Sequence, residues 1–173
     1  MHEVIYVTGG AKSGKSDFGR RLAEPYERRV FLATAEAFDD EMRERIGRHQ
    51  SERTGRFTTI EEPLFIDQAL RKLPQGTEVV IIDCLTVWLG NLMHYLGDDL
   101  AIFSQIDAFL NVLKSPPCNI ILVSNEVGMS IVPDNAISRR FRDLAGTLNR
   151  RVAECSTRAY LLCSGLPLVL KQP

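Results

Sequence analysis

Residues Gly9-Gly10-Ala11-Lys12-Ser13-Gly14-Lys15-Ser16 form a complete GxxxxGK[ST] loop, and its flanks constrain the fold more than any other feature of the chain. The apolar run Val4–Thr8 leads straight into it and the helical pattern Lys15–Ala23 leads straight out. A strand that passes through glycines into a helix start turns successive backbone N–H groups onto phosphate oxygens, and the helix adds the positive end of its dipole. Lys15 is then placed for the terminal phosphates, and the Ser16 hydroxyl for Mg2+. The alternative, a glycine-rich turn that binds nothing, is disfavoured because all four fixed positions occur in the right context.

The rest of the chain repeats the alternation that the loop requires. Short β-rich runs recur at Arg29–Ala33, Glu78–Ile82, Asn119–Val123 and Ala159–Cys163, with a possible last strand at Leu166–Leu170. Helical patterns occupy Asp39–Arg53, Leu64–Lys72, Thr86–Tyr95, Leu100–Lys114 and Ser138–Ser156. Phe57–Ile60 is compatible with a short strand before Pro63 starts the next helix. This order predicts an α/β fold: one P-loop NTPase-like domain over residues 1–173, with a mostly parallel sheet flanked by helices on both faces. In the last helix, Phe141, Leu144, Ala145, Leu148 and Val152 form the predicted core stripe. Arg139, Arg142, Asp143, Gly146 and Asn149 fall on another face.

Composition removes several classes of function. Lys plus Arg number 21 against 22 Asp plus Glu, a net charge of −1, so the basic excess that drives phosphate-backbone binding is missing and nucleic acid is not an expected partner. Cys84, Cys118, Cys155 and Cys163 form no CxxC pair, which argues for reduced thiols in the cytoplasm. The N-terminus has no basic segment before its short apolar run, and no stretch reaches the roughly 18 apolar residues of a membrane span. A soluble cytoplasmic protein is expected.

Two further positions bear on chemistry. Asp83 closes Val79-Val80-Ile81-Ile82, where an acid at the carboxyl end of a buried strand can hold Mg2+; an acid capping the following helix is equally common there. Glu41, Arg45, His49 and Arg53 lie four apart, on one stripe if Asp39–Arg53 is helical. A neutral imidazole between two guanidinium groups is arranged to attack a phosphate that the arginines hold, although a charged stripe is also what a solvated helix face looks like. Asn125-Glu126-Val127-Gly128 begins just past a strand end, at the edge where open α/β sheets bind ligands; a loop that merely turns the chain is the alternative.

Taken together, these segments resemble the bifunctional adenosylcobinamide kinase/adenosylcobinamide-phosphate guanylyltransferases of cobalamin biosynthesis. The residues that carry the resemblance are Val7 to Ser16, Ala33-Thr34, Asp40-Glu41-Met42, Arg45-Ile46, His49, Arg53, Ser124 to Pro133, Arg140 to Gly146, and Asn149. The resemblance implies phosphorylation of the adenosylcobinamide hydroxyl by ATP or GTP. It then implies transfer of GMP from GTP to that phosphate through a GMP-histidine, with release of pyrophosphate. The nucleophile falls on His49; Thr34, Ala35, Glu36, Gln50, Ser51, Glu52, Arg53, Glu61 and Asp83 fall on nucleotide-lining positions. Mg2+ and a homotrimer are implied as well. Lys12 stands where an arginine is usual, and Glu61-Glu62 offers two acids where one is expected. A monofunctional small-molecule kinase would leave the Arg45–His49–Arg53 stripe unused, and a GTP-dependent switch is disfavoured by the lack of an NKxD motif.

Overall fold

The structure, a computed structural model, describes residues 2–36 and 55–172. The expected helix Asp39–Arg53, and with it His49, Gln50, Ser51, Glu52 and Arg53, lies outside the described residues. In chain order the elements are β1 (Val4–Gly9), α1 (Lys15–Ala23), β2 (Arg29–Ala33), β3 (Thr58–Glu61), α2 (Ile66–Arg71) and β4 (Val79–Asp83). They continue with α3 (Leu85–Leu96), α4 (Asp99–Lys114), β5 (Asn119–Val123), α5 (Ala136–Cys155), β6 (Arg158–Cys163) and β7 (Leu166–Lys171).

Runs of Val, Ile and Leu with no polar alternation suit strands covered on both faces, and β1, β4 and β5 are indeed buried along most of their length. They lie inside a seven-stranded sheet of order β3-β2-β4-β5-β1-β6-β7. Six strands are parallel, and β7 alone runs antiparallel, against β6. Ser164 and Gly165 join that last pair with φ of 51° and 83°, the two left-handed residues of a tight hairpin turn. The segment 57–60 resolves as β3, one residue later than its apolar centre suggested, and it pairs with β2. Pro63 does not start a helix: the Glu62 carboxylate accepts the N–H groups of Leu64 and Phe65, and the helix begins only at Ile66.

Each face of the sheet carries its own core. Ile5, Val7, Phe31, Ile81 and Val123 pack beneath α1, while Val4, Leu32, Val80, Ile82 and Leu122 pack beneath α2, α3, α4 and α5. Gly19 brings α1 close to the sheet, since a Cβ there would stand 3.3 Å from Val123. On the other face Trp88 of α3 is fully buried, sits edge-on to Phe109 of α4 at 5.2 Å, and donates its indole N–H to the Leu64 carbonyl at 2.8 Å. Replacing it leaves a large cavity and an orphaned carbonyl, so Trp88→Ala should cost about 3–5 kcal/mol. Urea unfolding should show this as a lowered midpoint, and a shift equivalent to under about 1 kcal/mol would contradict the packing described here.

Candidate nucleotide site

Because six strands are parallel, their carboxyl ends line one edge, and the loop after β1 folds over that edge. Its glycines are needed for identifiable reasons. Gly9 has φ of 148°, and a Cβ there would lie 2.4 Å from the Leu162 carbonyl oxygen of β6; Gly14 has φ of 94° and passes Gly165 closely. The Gly165 N–H donates to the Ser13 carbonyl at 3.0 Å, so the β6–β7 turn braces the phosphate loop from below. Sequence reasoning missed this contact, although the Ser-Gly pair between two apolar runs was available as a hairpin signal.

Lys15 opens α1 and is only 7% exposed. Its ammonium donates to the Gly10 carbonyl at 2.5 Å and to Ser13 Oγ at 3.4 Å. Burial lowers its pKa below the usual lysine value, and the nearby Asp83 carboxylate opposes that shift. The lysine of the loop and the acid of β4 therefore share one field. Asp83 ends β4 in register with Ala33 of β2 and Val123 of β5. It does not cap the next helix, because Cys84 holds the cap position of α3 and the helix has no side-chain cap. Ser16, in the first turn of α1, and Asp83 supply hard oxygen ligands of the kind Mg2+ takes alongside phosphates and water. Among the described residues no three His, Cys, Asp or Glu side chains form a self-sufficient metal site.

Thr34, at the end of β2, is fully buried, and its hydroxyl both donates to the Cys84 carbonyl and accepts from the Cys84 N–H, each at 2.9 Å. Its side chain fastens β2 to β4 beneath the rim. Ala35 and Glu36 follow half-buried; the Glu36 carboxylate meets the Tyr95 hydroxyl, whose pKa it raises, while its Oε2 is enclosed with no hydrogen bond of its own among the described residues. Glu61 ends β3 opposite Ala33, at the rim. Of the two neighbouring acids it is the one at the sheet edge, since Glu62 is occupied with the entry to α2.

A buried polar chain supports the centre of this edge. Ser124 Oγ donates to Asn149 Oδ1 at 2.7 Å, Asn149 Nδ2 to the Asn125 carbonyl at 3.1 Å, and Asn125 Nδ2 to Thr86 Oγ1 at 2.9 Å. Thr86 Oγ1 in turn meets the Cys84 thiol at 2.8 Å, and burial pushes that thiol's pKa up. Asn149 thus corrects the sequence expectation: it points inward, 6% exposed, because its amide has partners in the loop after β5. Among the described residues no helix is long and apolar enough to cross a membrane.

Residues 5–170 match the family model described as cobinamide kinase / cobinamide phosphate guanyltransferase. The chain is 40% identical over 166 residues to the bifunctional adenosylcobalamin biosynthesis protein CobP of Pseudomonas aeruginosa, covering 95% of each. It is 33% identical over 180 residues to the protein CobU, of the same description, from Escherichia coli K12, covering 97% of this chain and 99% of that one. Among solved structures, an ATPase of a bacterial type III secretion system overlays with a TM-score of 0.58 at 10% identity, over 92% of this chain and 50% of the ATPase. That likeness concerns the fold alone.

Proposed function

The chain belongs to the cobinamide kinase / cobinamide phosphate guanyltransferase family, bifunctional enzymes of cobalamin biosynthesis, and we propose that a single triphosphate site serves both reactions. The observation that carries this reading is the buried Lys15 held in the phosphate loop and sharing a field with Asp83. In the first reaction the site holds ATP or GTP and the adenosylcobinamide hydroxyl takes the γ-phosphoryl group. Positioning and charge neutralisation suffice for that step. In the second, GTP occupies the same loop, His49 attacks the α-phosphorus and pyrophosphate leaves. The phosphorylated acceptor then displaces the GMP from His49 to give adenosylcobinamide-GDP, so one hard displacement becomes two easier ones.

Lys15 and the backbone N–H groups of Gly9 to Ser16 grip the phosphates in both reactions. Ser16 and Asp83 are the residues that would hold Mg2+, which when bound neutralises phosphate charge. The enclosed Glu36 oxygen suits a hydroxyl or N–H donor of the nucleoside, and Glu61 with Gln50, Ser51, Glu52 and Arg53 completes the proposed lining. A homotrimer belongs to the same reading, supported by Leu166, Leu168, Val169 and Leu170 standing exposed on the edge strand β7. A cytoplasmic location is supported by four cysteines that are all free.

The test is mass spectrometry of the protein after incubation with GTP and Mg2+. Acid-labile GMP on His49 is the expected result. An unmodified His49 in a preparation that turns over both reactions would overturn the intermediate, and a preparation with kinase activity alone would favour a monofunctional enzyme.

A further inference from the structure

We infer that Glu126 is a catalytic residue of the kinase step, the base that receives the proton of the acceptor hydroxyl. The inference rests on the functional reading above and adds to it a residue that this reading leaves unused.

The sheet order makes the case. β5 lies between β1, which carries the phosphate loop, and β4, which carries Asp83. A triphosphate gripped by the loop and approached by Asp83 must therefore lie over the end of β5. Ladder pairing continues beyond that strand: the Ser124 N–H donates to the Val7 carbonyl at 3.0 Å and the Glu126 N–H to the Gly9 carbonyl at 2.9 Å. Glu126 is thus anchored to the first residue of the loop. With strands about 4.8 Å apart, Glu126 stands one spacing from β1, about 5 Å, whereas Asp83 stands about 10 Å and Glu61 about 19 Å away. Among the described acids along this edge, it is the one beside the loop that is not already given to metal or nucleoside.

The carboxylate is also held in a fixed place. Oε1 accepts the Gly128 N–H at 2.7 Å, which closes a small ring around it and leaves Oε2 to meet a ligand. Ser124 faces Asn149 of α5, so by strand alternation Glu126 faces the same side, away from α1 and toward Tyr6. The loop grips phosphate on the α1 side, and the base stands on the opposite flank.

In the step itself the hydroxyl oxygen bonds to the γ-phosphorus while the bond from that phosphorus to the β–γ bridging oxygen breaks. The nucleoside diphosphate leaves with the electron pair, and the hydroxyl proton passes to Glu126 and then to water. Guanylyl transfer needs no such base, because its acceptor is a phosphate that is already largely ionised near neutral pH.

This difference supplies the test. Glu126→Gln keeps an oxygen for the Gly128 N–H and removes only the ability to take a proton. Its kcat for phosphorylation of adenosylcobinamide should fall about 100-fold or more. Guanylyl transfer from GTP to supplied adenosylcobinamide phosphate should stay within about threefold of wild type. Other titrating groups facing this stretch do not imitate that pattern. Burial drives Tyr6 and the Cys84 thiol upward, Thr86 and Asn149 carry no ionisable group, and Lys15 and Asp83 act in both reactions.

Kinase activity within about threefold of wild type in Glu126→Gln would overturn the inference, as would equal loss of both reactions in a folded protein. Glu126→Ala, which also removes the Gly128 acceptor, serves as the structural control: guanylyl transfer lost in Ala and kept in Gln supports the division. If the wild-type protein phosphorylated no acceptor, the functional reading would fail, and the inference with it.

Discussion

His49→Ala is expected to lower guanylyl transfer by about 10⁴-fold or more while kinase activity stays within about tenfold of wild type. The asymmetry follows from what each reaction asks of the chain. A covalent guanylyl intermediate cannot form without a nucleophile, and alanine offers none. Phosphoryl transfer to an alcohol needs the phosphates gripped and the acceptor aligned, and the proposed scheme gives those tasks to the loop, Lys15 and the sheet edge, none of which the substitution removes. Arg45 and Arg53, four residues to either side of His49 in the sequence, would keep part of their phosphate attraction in the mutant. The measurement is a pair of assays on one preparation, one following adenosylcobinamide phosphorylation and the other starting from adenosylcobinamide phosphate with GTP. Equal loss of both activities in a folded mutant would contradict one site with two uses.

Much of this arrangement was legible from local signals. A glycine loop between a β-branched run and a helix pattern reports its own geometry, so β1, the loop and α1 were fixed by neighbours in the chain. Asp83 was visible for the same reason, as an acid that ends an apolar run, but only the structure shows Cys84 rather than Asp83 at the helix cap. Long-range features left weaker traces. The Gly9 requirement depends on Leu162, more than 150 residues away, and the brace on Ser13 comes from a turn at the opposite end of the chain. Asn149 falls off the predicted core stripe of α5, because that stripe is drawn from apolar residues alone. Its partners Ser124 and Asn125 come from another strand's end, and no helical periodicity reports them. Strand order behaves likewise: alternation predicts parallel strands, yet nothing local places β5 between the loop and Asp83, and the assignment of Glu126 depends on that placement.

Lys15→Ala should affect both activities together, lowering each by about 10²–10³-fold, because one ammonium neutralises the phosphates whichever phosphorus is attacked. Its effect on stability should run the other way. Lys15 is buried, and burial lowers its pKa, so the folded protein without nucleotide holds this charge less readily than the unfolded chain does. The sign follows from linkage. A lysine whose folded pKa lies below its unfolded value penalises folding while both states are protonated, and the penalty fades as pH rises through the folded pKa toward the unfolded one. Nucleotide-free Lys15→Ala should therefore melt at or above the wild-type Tm near neutral pH, with the difference narrowing as the solution becomes more alkaline. Adding GTP and Mg2+ should reverse the order, because the bound phosphates pair with Lys15 and stabilise only the protein that has it. A mutant that melts well below wild type without nucleotide would mean that the bonds from Lys15 to Gly10 and Ser13 outweigh its desolvation. The loop would then be built around its lysine, not strained by holding it ready for phosphate.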